Sequence, residues 1–519
     1  MRVYLRKSTA WIVAALTAVV ASLAGCTAPQ GNDGDSGAAK GHAPITLTFR
    51  LWDDQAQPAY AASFKAFERE NPDIHVAIEH VPWASYWKQI PLDIAAGNMA
   101  DVYLMNSSNF AFYADAGKLV NISQTLGNQH AAWQKAVTDL YTRSGSLWGV
   151  PQLWDSIALF YNIDLVQKAG VDPTRLTWAP LAAGSAPGGG TSGATAKASG
   201  GGARASAKAS GTASANSTSP SAQGATRAAA HTSKSTAVSN TPAASGDTLL
   251  PTLRALTRDT SGRPATAPNF DPAHIATYGF NAQIDMQAIY LDFLAEAGAT
   301  YQAAGADTFA FASPAGEQAF NYLVHLVNGE HLAPPAAVTN TNGDFSRDLF
   351  LQGKLALFQS GPYNLKTIAE GAAHKWGIAP IVAGPRGRVS VVHGVAAVGN
   401  ADSKYPEAVK RVLTWLGSVR GQEQLGAQGV AFPAAVEAQH TFVDYWAAKG
   451  VDVQVFIDAA RGSYADGASG STAPAPRGRM VNAGAAAAET VLKDILLGIT
   501  PVKAGLQQAQ AAGNTAMRE

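Results

Sequence analysis

Apolar and polar positions alternate from the first residues after Pro44. Ile45, Leu47, Phe49 and Leu51 interleave with Thr46, Thr48 and Arg50, which predicts a strand with one buried face. The period then lengthens. Tyr60, Phe64 and Phe67 stand at i, i+4 and i+7 on one face of a helix that starts near Pro58 and stops at Asn71-Pro72. Ile74, Val76 and Ile78 restore the alternation. Strand, helix, strand at this spacing is a right-handed βαβ unit of a parallel sheet. Ligands of such sheets lie outside the carboxyl ends of the strands, which puts Trp52, Asp53 and Asp54 at a mouth and Trp83 just past the second strand. A third strand, Asp101 to Met105, ends in Asn106-Ser107-Ser108. Each of these residues has a plain alternative: a capping Asp, a surface-packed Trp, or a polar loop that caps a helix.

Further on, Ile157, Leu159 and Tyr161 alternate with Ala158 and Phe160 in an apolar run of the buried kind. Trp154 and Asp155 stand at its entrance. An indole face covers the C–H face of a pyranose and a carboxylate accepts two hydroxyl hydrogen bonds, so the pair reads as a sugar clamp or, equally simply, as a half-buried Trp and a turn Asp. Helical periods recur at Leu250 to Leu256, at Tyr290 to Ala297 before Gly298, at Phe320 to Val327, and after Pro406. Gly361-Pro362 opens another helix with proline at its first position.

Composition changes the picture in three places. Arg2, Arg6 and Lys7 precede an apolar run, Trp11 to Leu23, too short to span a bilayer comfortably, and it ends in Leu23-Ala24-Gly25-Cys26. That tetrad fits a bacterial lipobox with Cys26 as the acceptor of a diacylglycerol. Cys26 is the single cysteine of the chain, so no internal disulfide or cysteine metal site forms. Residues 27–43 have the composition of a flexible tether. Residues 184–246 are nearly all Ala, Gly, Ser and Thr without aromatics or period, which predicts a disordered insertion. With 38 basic and 38 acidic residues the formal charge is zero, and nothing points to nucleic acid. The chain has no G-x-S-x-G, H-E-x-x-H or Walker motif; no catalytic residue, metal or cofactor is expected.

Several separated motifs resemble, in order, those of the extracellular solute-binding proteins of ABC sugar importers, the group that includes the maltose-binding proteins. They are Phe67–Val76 (FERENPDIHV), Ala95–Tyr103 (AAGNMADVY), Phe160–Val171 (FYNIDLVQKAGV), Phe350–Tyr363 (FLQGKLALFQSGPY) and Trp376–Gly387 (WGIAPIVAGPRG). The resemblance implies an α/β, two-lobed, periplasmic-binding-protein-like fold whose lobes are joined by crossover strands around a ligand cleft. It implies a signal peptide over 1–26, a tether over 27–43, a first lobe mainly over 44–155, the start of the second over 156–183, its continuation over 247–392, and over 393–519 a return to the first lobe plus C-terminal helices. Expected ligand-side residues are Trp52, Asp53, Asp54, Trp83, Asn106, Ser108, Trp154, Asp155, Asp285, Tyr363, His393 and Gly394. Tyr363 replaces a Trp that usually stacks on a sugar ring. Asp285 reads equally as a cap and His393 equally as satisfied structure. The implied protein is a monomer, not an enzyme, lipid-anchored on the extracellular face of a Gram-positive cell membrane. It takes a carbohydrate, a neutral oligosaccharide, to permease subunits that an ATPase subunit drives. The alternatives left open are a lipid-anchored glycoside hydrolase and a binding protein for another polar solute.

Overall fold

Two large sheets and one two-stranded ribbon divide the strands of the computed structural model, which describes residues 44–127, 132–181, 246–303, 307–464 and 470–518. Cys26, the signal peptide, the tether and nearly all of the 184–246 insertion lie outside the described residues. The described residues belong to one compact unit.

The strands are β1 (Ile45–Leu51), β2 (Ile74–His80), β3 (Val102–Asn106), β4 (Thr142–Arg143), β5 (Ser146–Leu147), β6 (Val150–Asp155), β7 (Ala158–Asn162), β8 (Arg258–Asp259), β9 (Ile275–Phe280), β10 (Leu355–Ser360), β11 (Trp376–Ala379), β12 (Arg388–Gly399), β13 (Phe432–Pro433) and β14 (Gly470–Pro474). The first sheet has the order β13-β6-β12-β3-β1-β2, with β14 also on β12; the second has the order β11-β7-β10-β9-β8. β1 pairs in parallel with both β2 and β3, as the βαβ spacing predicts. The helix between β1 and β2, Gln57–Glu70, buries Tyr60, Phe64 and Phe67 against the sheet. It stops at Asn71, whose backbone N–H and side-chain amide both donate to the Phe67 carbonyl.

The two sheets define two lobes, and the chain passes between them at three places. β6 ends at Asp155 in the first sheet, and β7 begins three residues later in the second. β12 is long because it serves both ends of the return: Arg388–Val392 pair with β14, and His393–Gly399 pair with β6 and β3. After β14 the chain enters the helices Val481–Leu496 and Val502–Ala516, whose Leu492, Ile495, Leu496 and Leu506 lie in the second lobe's core with Phe293, Tyr322 and Leu323.

The crossings are tied to one another. The Ile157 N–H donates to the Ser390 hydroxyl at 2.9 Å, and the Ser156 hydroxyl donates to the Phe456 carbonyl at 2.7 Å, both buried. Behind β12 the helix Leu291–Ala297 carries two fully buried acids. Asp292 accepts from the Val391 N–H at 2.9 Å and Glu296 from the Trp178 indole at 2.8 Å. Burial holds both carboxyls well above the usual carboxylate range. An apolar helix face alone would not announce these acids, because Asp292 stands between Leu291 and Phe293 and Glu296 between Ala295 and Ala297.

The insertion leaves the ends it joins intact. Thr177 and Thr248 hydrogen-bond through backbone and hydroxyl, and the helix Leu249–Leu256 starts at once. Ends held this close need little extra closure entropy however long the intervening chain is. Among the described residues no helix is long and apolar enough to cross a membrane.

Candidate functional site

A cavity of about 260 Å³ lies where the two lobes meet. The first lobe contributes the ends of three strands: Trp52 and Asp53 after β1, Asn106 to Ser108 at the end of β3, and Asp155 at the end of β6. The registers bring these ends together, since β12 sets His393 opposite Asp155 and Val395 opposite Asn106. Side chains two apart on a strand share a face, so His393 and Val395 both look into the cavity. The second lobe closes it with Gln287, Pro362 and Tyr363.

The rim is aromatic. Trp52 makes edge contacts with Trp83 at 5.4 Å between ring centroids and with Tyr86 at 5.0 Å, so its position is held by other rings. Trp83 is 52 % exposed and Tyr363 is 40 % exposed. Both therefore keep ring surface free to cover an apolar ligand face.

The polar groups have distinct assignments. Asp53 Oδ1 accepts from the Gln55 and Ala56 N–H groups at 2.9 and 3.3 Å, which fixes the turn after β1. Burial raises its carboxyl above the usual range, with those two N–H groups opposing. Asp155 Oδ2 accepts from the Gln287 side-chain amide at 3.1 Å. Burial pushes the Asp155 carboxyl up to about 7, the Gln287 amide opposes this, and the Asp53 carboxylate adds to it. Burial pushes the His393 imidazole down to about 3, so it is neutral at ordinary pH, and its Nε2 is buried without a partner among the described residues. The Ser108 hydroxyl donates to the Pro476 carbonyl at 3.1 Å, and the Asn106 side-chain amide oxygen accepts from the Asn109 side-chain amide at 2.7 Å.

Two hydrogen bonds cross from lobe to lobe here: Gln287 to Asp155, and Gln55 to the Thr367 hydroxyl at 3.0 Å. Among the described lining residues none is Lys or Arg. Among the described residues no group of three or more His, Cys, Asp or Glu is arranged to hold a metal ion.

Three expected residues lie elsewhere. Trp154 is corrected outright: it is 1 % exposed and stacks on Phe432 at 4.8 Å, because it follows the opposite parity to Asp155 on β6 and points into the core. Asp285 is a helix cap that accepts from the Gln287 and Ala288 N–H groups at 3.0 Å, and it does not line the cavity. Asp54 is exposed one residue beyond the lining. Gly394 does line the cavity with its backbone, but the lack of a side chain serves the core: a Cβ there would stand 2.8 Å from Val137. Its carbonyl accepts from the Tyr141 hydroxyl at 2.7 Å. Gln287, Leu153, Val395 and Val430 were not legible as lining residues. For Gln287 the available signal was the neighbouring cap, since Asp285 orients the turn that aims it.

Comparison with known proteins agrees with this geometry. A family model described as bacterial extracellular solute-binding protein matches residues 53–250 and 257–423. The chain is 25 % identical over 181 residues to the arabinooligosaccharide-binding protein of Bacillus subtilis, a match covering 34 % of this chain and 40 % of that protein. The curated relatives are thus matched over less than half their length. The crystal structure of Mycobacterium tuberculosis UspC is similar with a TM-score of 0.66 and 39 % identity, covering 91 % of this chain and all of that one. A substrate-binding protein of Listeria monocytogenes in complex with cycloalternan shares the fold with a TM-score of 0.67 at 15 % identity, over 92 % of this chain and 99 % of that one.

Proposed function

The chain belongs to the bacterial extracellular solute-binding proteins, with their two-lobed α/β fold, and from that membership we propose that it is the carbohydrate-capturing component of an ABC importer. The observation that carries the reading is the cavity itself. It combines exposed ring faces of Trp83 and Tyr363 with carboxyl, amide, hydroxyl and imidazole groups, and among the described residues no cationic side chain lines it. A neutral sugar presents the complementary surface: apolar C–H faces and a girdle of hydroxyls that both donate and accept. Phosphorylated and acidic sugars would face Asp53 and Asp155 without a countercharge. The arabinooligosaccharide- and cycloalternan-binding relatives support the same substrate class.

Capture proceeds by closure. Ligand contacts from both lobes stabilise the form in which the lobes meet, in proportion to its extra affinity for that form. The Gln287–Asp155 and Gln55–Thr367 bonds are the protein's own contribution to that form. The closed protein docks on permease subunits, and Cys26 carries the lipid that keeps it at the outer membrane surface of a Gram-positive cell. Membrane partition of Cys26→Ser tests the anchor.

Calorimetric titration of the full-length protein against a panel of mono- and oligosaccharides, with amino acids and polyamines as controls, tests the function. Tight binding of a sugar without turnover is the expected result. Heat from a control alone overturns the carbohydrate assignment. Asp53 and Asp155 share the cavity and Asp155 has a raised pKa, the arrangement a glycoside hydrolase would need, so release of reducing sugar in the same samples decides for the enzyme.

A further inference from the structure

Building on the closure reading, we propose that closing the lobes is coupled to the uptake of one proton by Asp155, so that the cleft closes more readily in acid and opens as pH rises. At Asp155 a carboxyl of the first lobe meets a side chain of the second: its Oδ2 accepts from the Gln287 amide at 3.1 Å. Both groups are held where they meet. Asp155 ends β6 opposite His393 of β12, and the two residues after it are fixed in the crossing, Ser156 by the Phe456 carbonyl at 2.7 Å and Ile157 by the Ser390 hydroxyl at 2.9 Å. Gln287 lies in a widened helical turn, Met286–Tyr290, in which the Tyr290 N–H reaches back five residues to the Asp285 carbonyl. The Asp285 carboxyl caps this turn through the Gln287 and Ala288 N–H groups at 3.0 Å, and the Gln359 side-chain amide donates to the Ala288 carbonyl at 2.7 Å.

The titratable groups that face Asp155 supply no positive charge. Asp53, after β1, is a second acid. His393, opposite on β12, is kept neutral by burial. The Tyr141 phenol of the first lobe and the Tyr363 phenol of the second are neutral at ordinary pH, and the Tyr141 hydroxyl is engaged with the Met105 and Gly394 carbonyls at 2.7 Å. Among the described lining residues none is Lys or Arg. A carboxylate at Asp155 is therefore desolvated beside another acid, with one neutral donor crossing to it. A carboxylic acid keeps that same Gln287 bond through its carbonyl oxygen and carries no charge to desolvate. This is why the carboxyl stands at about 7 in the form with the lobes together. When the lobes part, Gln287 leaves, water returns, and the carboxyl falls toward its ordinary 3.8. Between those values closure draws a proton from solvent. The group with the raised pKa belongs to the closed form, so the closed-to-open ratio rises as pH falls, by about a hundredfold from pH 8 to pH 5. The other crossing bond, Gln55 to Thr367, joins two groups that do not titrate and adds no such dependence.

X-ray scattering of the ligand-free full-length protein at pH 8 and pH 5 tests the coupling. The unaltered protein is expected to become more compact on acidification. Asp155→Asn keeps an acceptor for Gln287 and has no charge to neutralise, so it is expected to be equally compact at both pH values. Thr367→Ala removes a crossing bond but leaves the carboxyl, so it is expected to be less compact than the unaltered protein at both pH values and still to respond to acid. A radius of gyration that is flat with pH in the unaltered protein, or that responds in Asp155→Asn as it does in the unaltered protein, overturns the coupling. Repeating the scattering with a saccharide that gives heat in the calorimetric panel separates this from closure itself. Compaction on saccharide with a flat pH response leaves closure standing and removes the proton coupling alone; no compaction under either condition removes both.

Discussion

Trp154 and Asp155 are adjacent in sequence and opposite in role. The indole lies in the core on Phe432, so Trp154→Ala leaves a large cavity and is expected to cost about 3–5 kcal/mol, seen as a lower midpoint in denaturant. Tyr363 is half exposed at the rim, so Tyr363→Ala is expected to leave stability nearly unchanged and to weaken sugar binding by about tenfold, about 1.4 kcal/mol, in calorimetry. Asp155 adds a pH dependence. Its carboxyl is at about 7 in the fold against 3.8 ordinarily, so the folded state binds more protons than the unfolded one between those values. Stability from this group is then greatest below about 4 and is lost as pH rises through about 7. Asp155→Asn removes the buried charge and is expected to raise the melting temperature at pH 8 but not at pH 4; an equal gain at both would refute the assignment. Trp154 and Asp155 also show what was readable at this scale: the alternation was plain, but which parity faced the cleft depended on where β12 and β13 lay.

Elements carry the crossing points. The strand that follows Ile157 and the apolar run from Val391 to Val398 were both legible, the first from alternation and the second from its resemblance to a return crossover. Their mutual bond was not, because Ile157 and Ser390 are 233 positions apart. Ser390→Ala leaves the buried Ile157 N–H without its acceptor and is expected to cost about 1–3 kcal/mol, measured as a lower denaturant midpoint at unchanged slope. The helix Leu291–Ala297 teaches a related point. Its apolar period predicted an inward face, yet Asp292 and Glu296 are buried too, because a crossing strand and an indole offer them donors.

At the scale of the molecule, the cavity lies between bodies that belong to different sheets. Closure is expected to shrink the radius of gyration of the full-length protein when a tightly bound saccharide is added, measured by X-ray scattering. Saturating binding with no compaction would rule closure out. The three crossings make such a motion economical, since the lobes are joined by short segments whose hydrogen bonds are internal to the hinge region.

Sequence by itself determined the first three strands, the strand after Ile157 and several of the helices, through periods of two and 3.6, and their order along the chain. It also determined the mouth of the first βαβ unit, because a parallel strand's carboxyl end is an open edge wherever the sheet goes. Only the tertiary structure decided which of the candidate residues converge. Ser108, Asp155, Gln287, Tyr363 and His393 come from five separate stretches, and their meeting depends on strand register and on how the second sheet is set against the first. A one-residue change of register turns every side chain of a strand to its other face. The local pattern therefore specified which residues alternate, and packing specified which half of them faces the cavity.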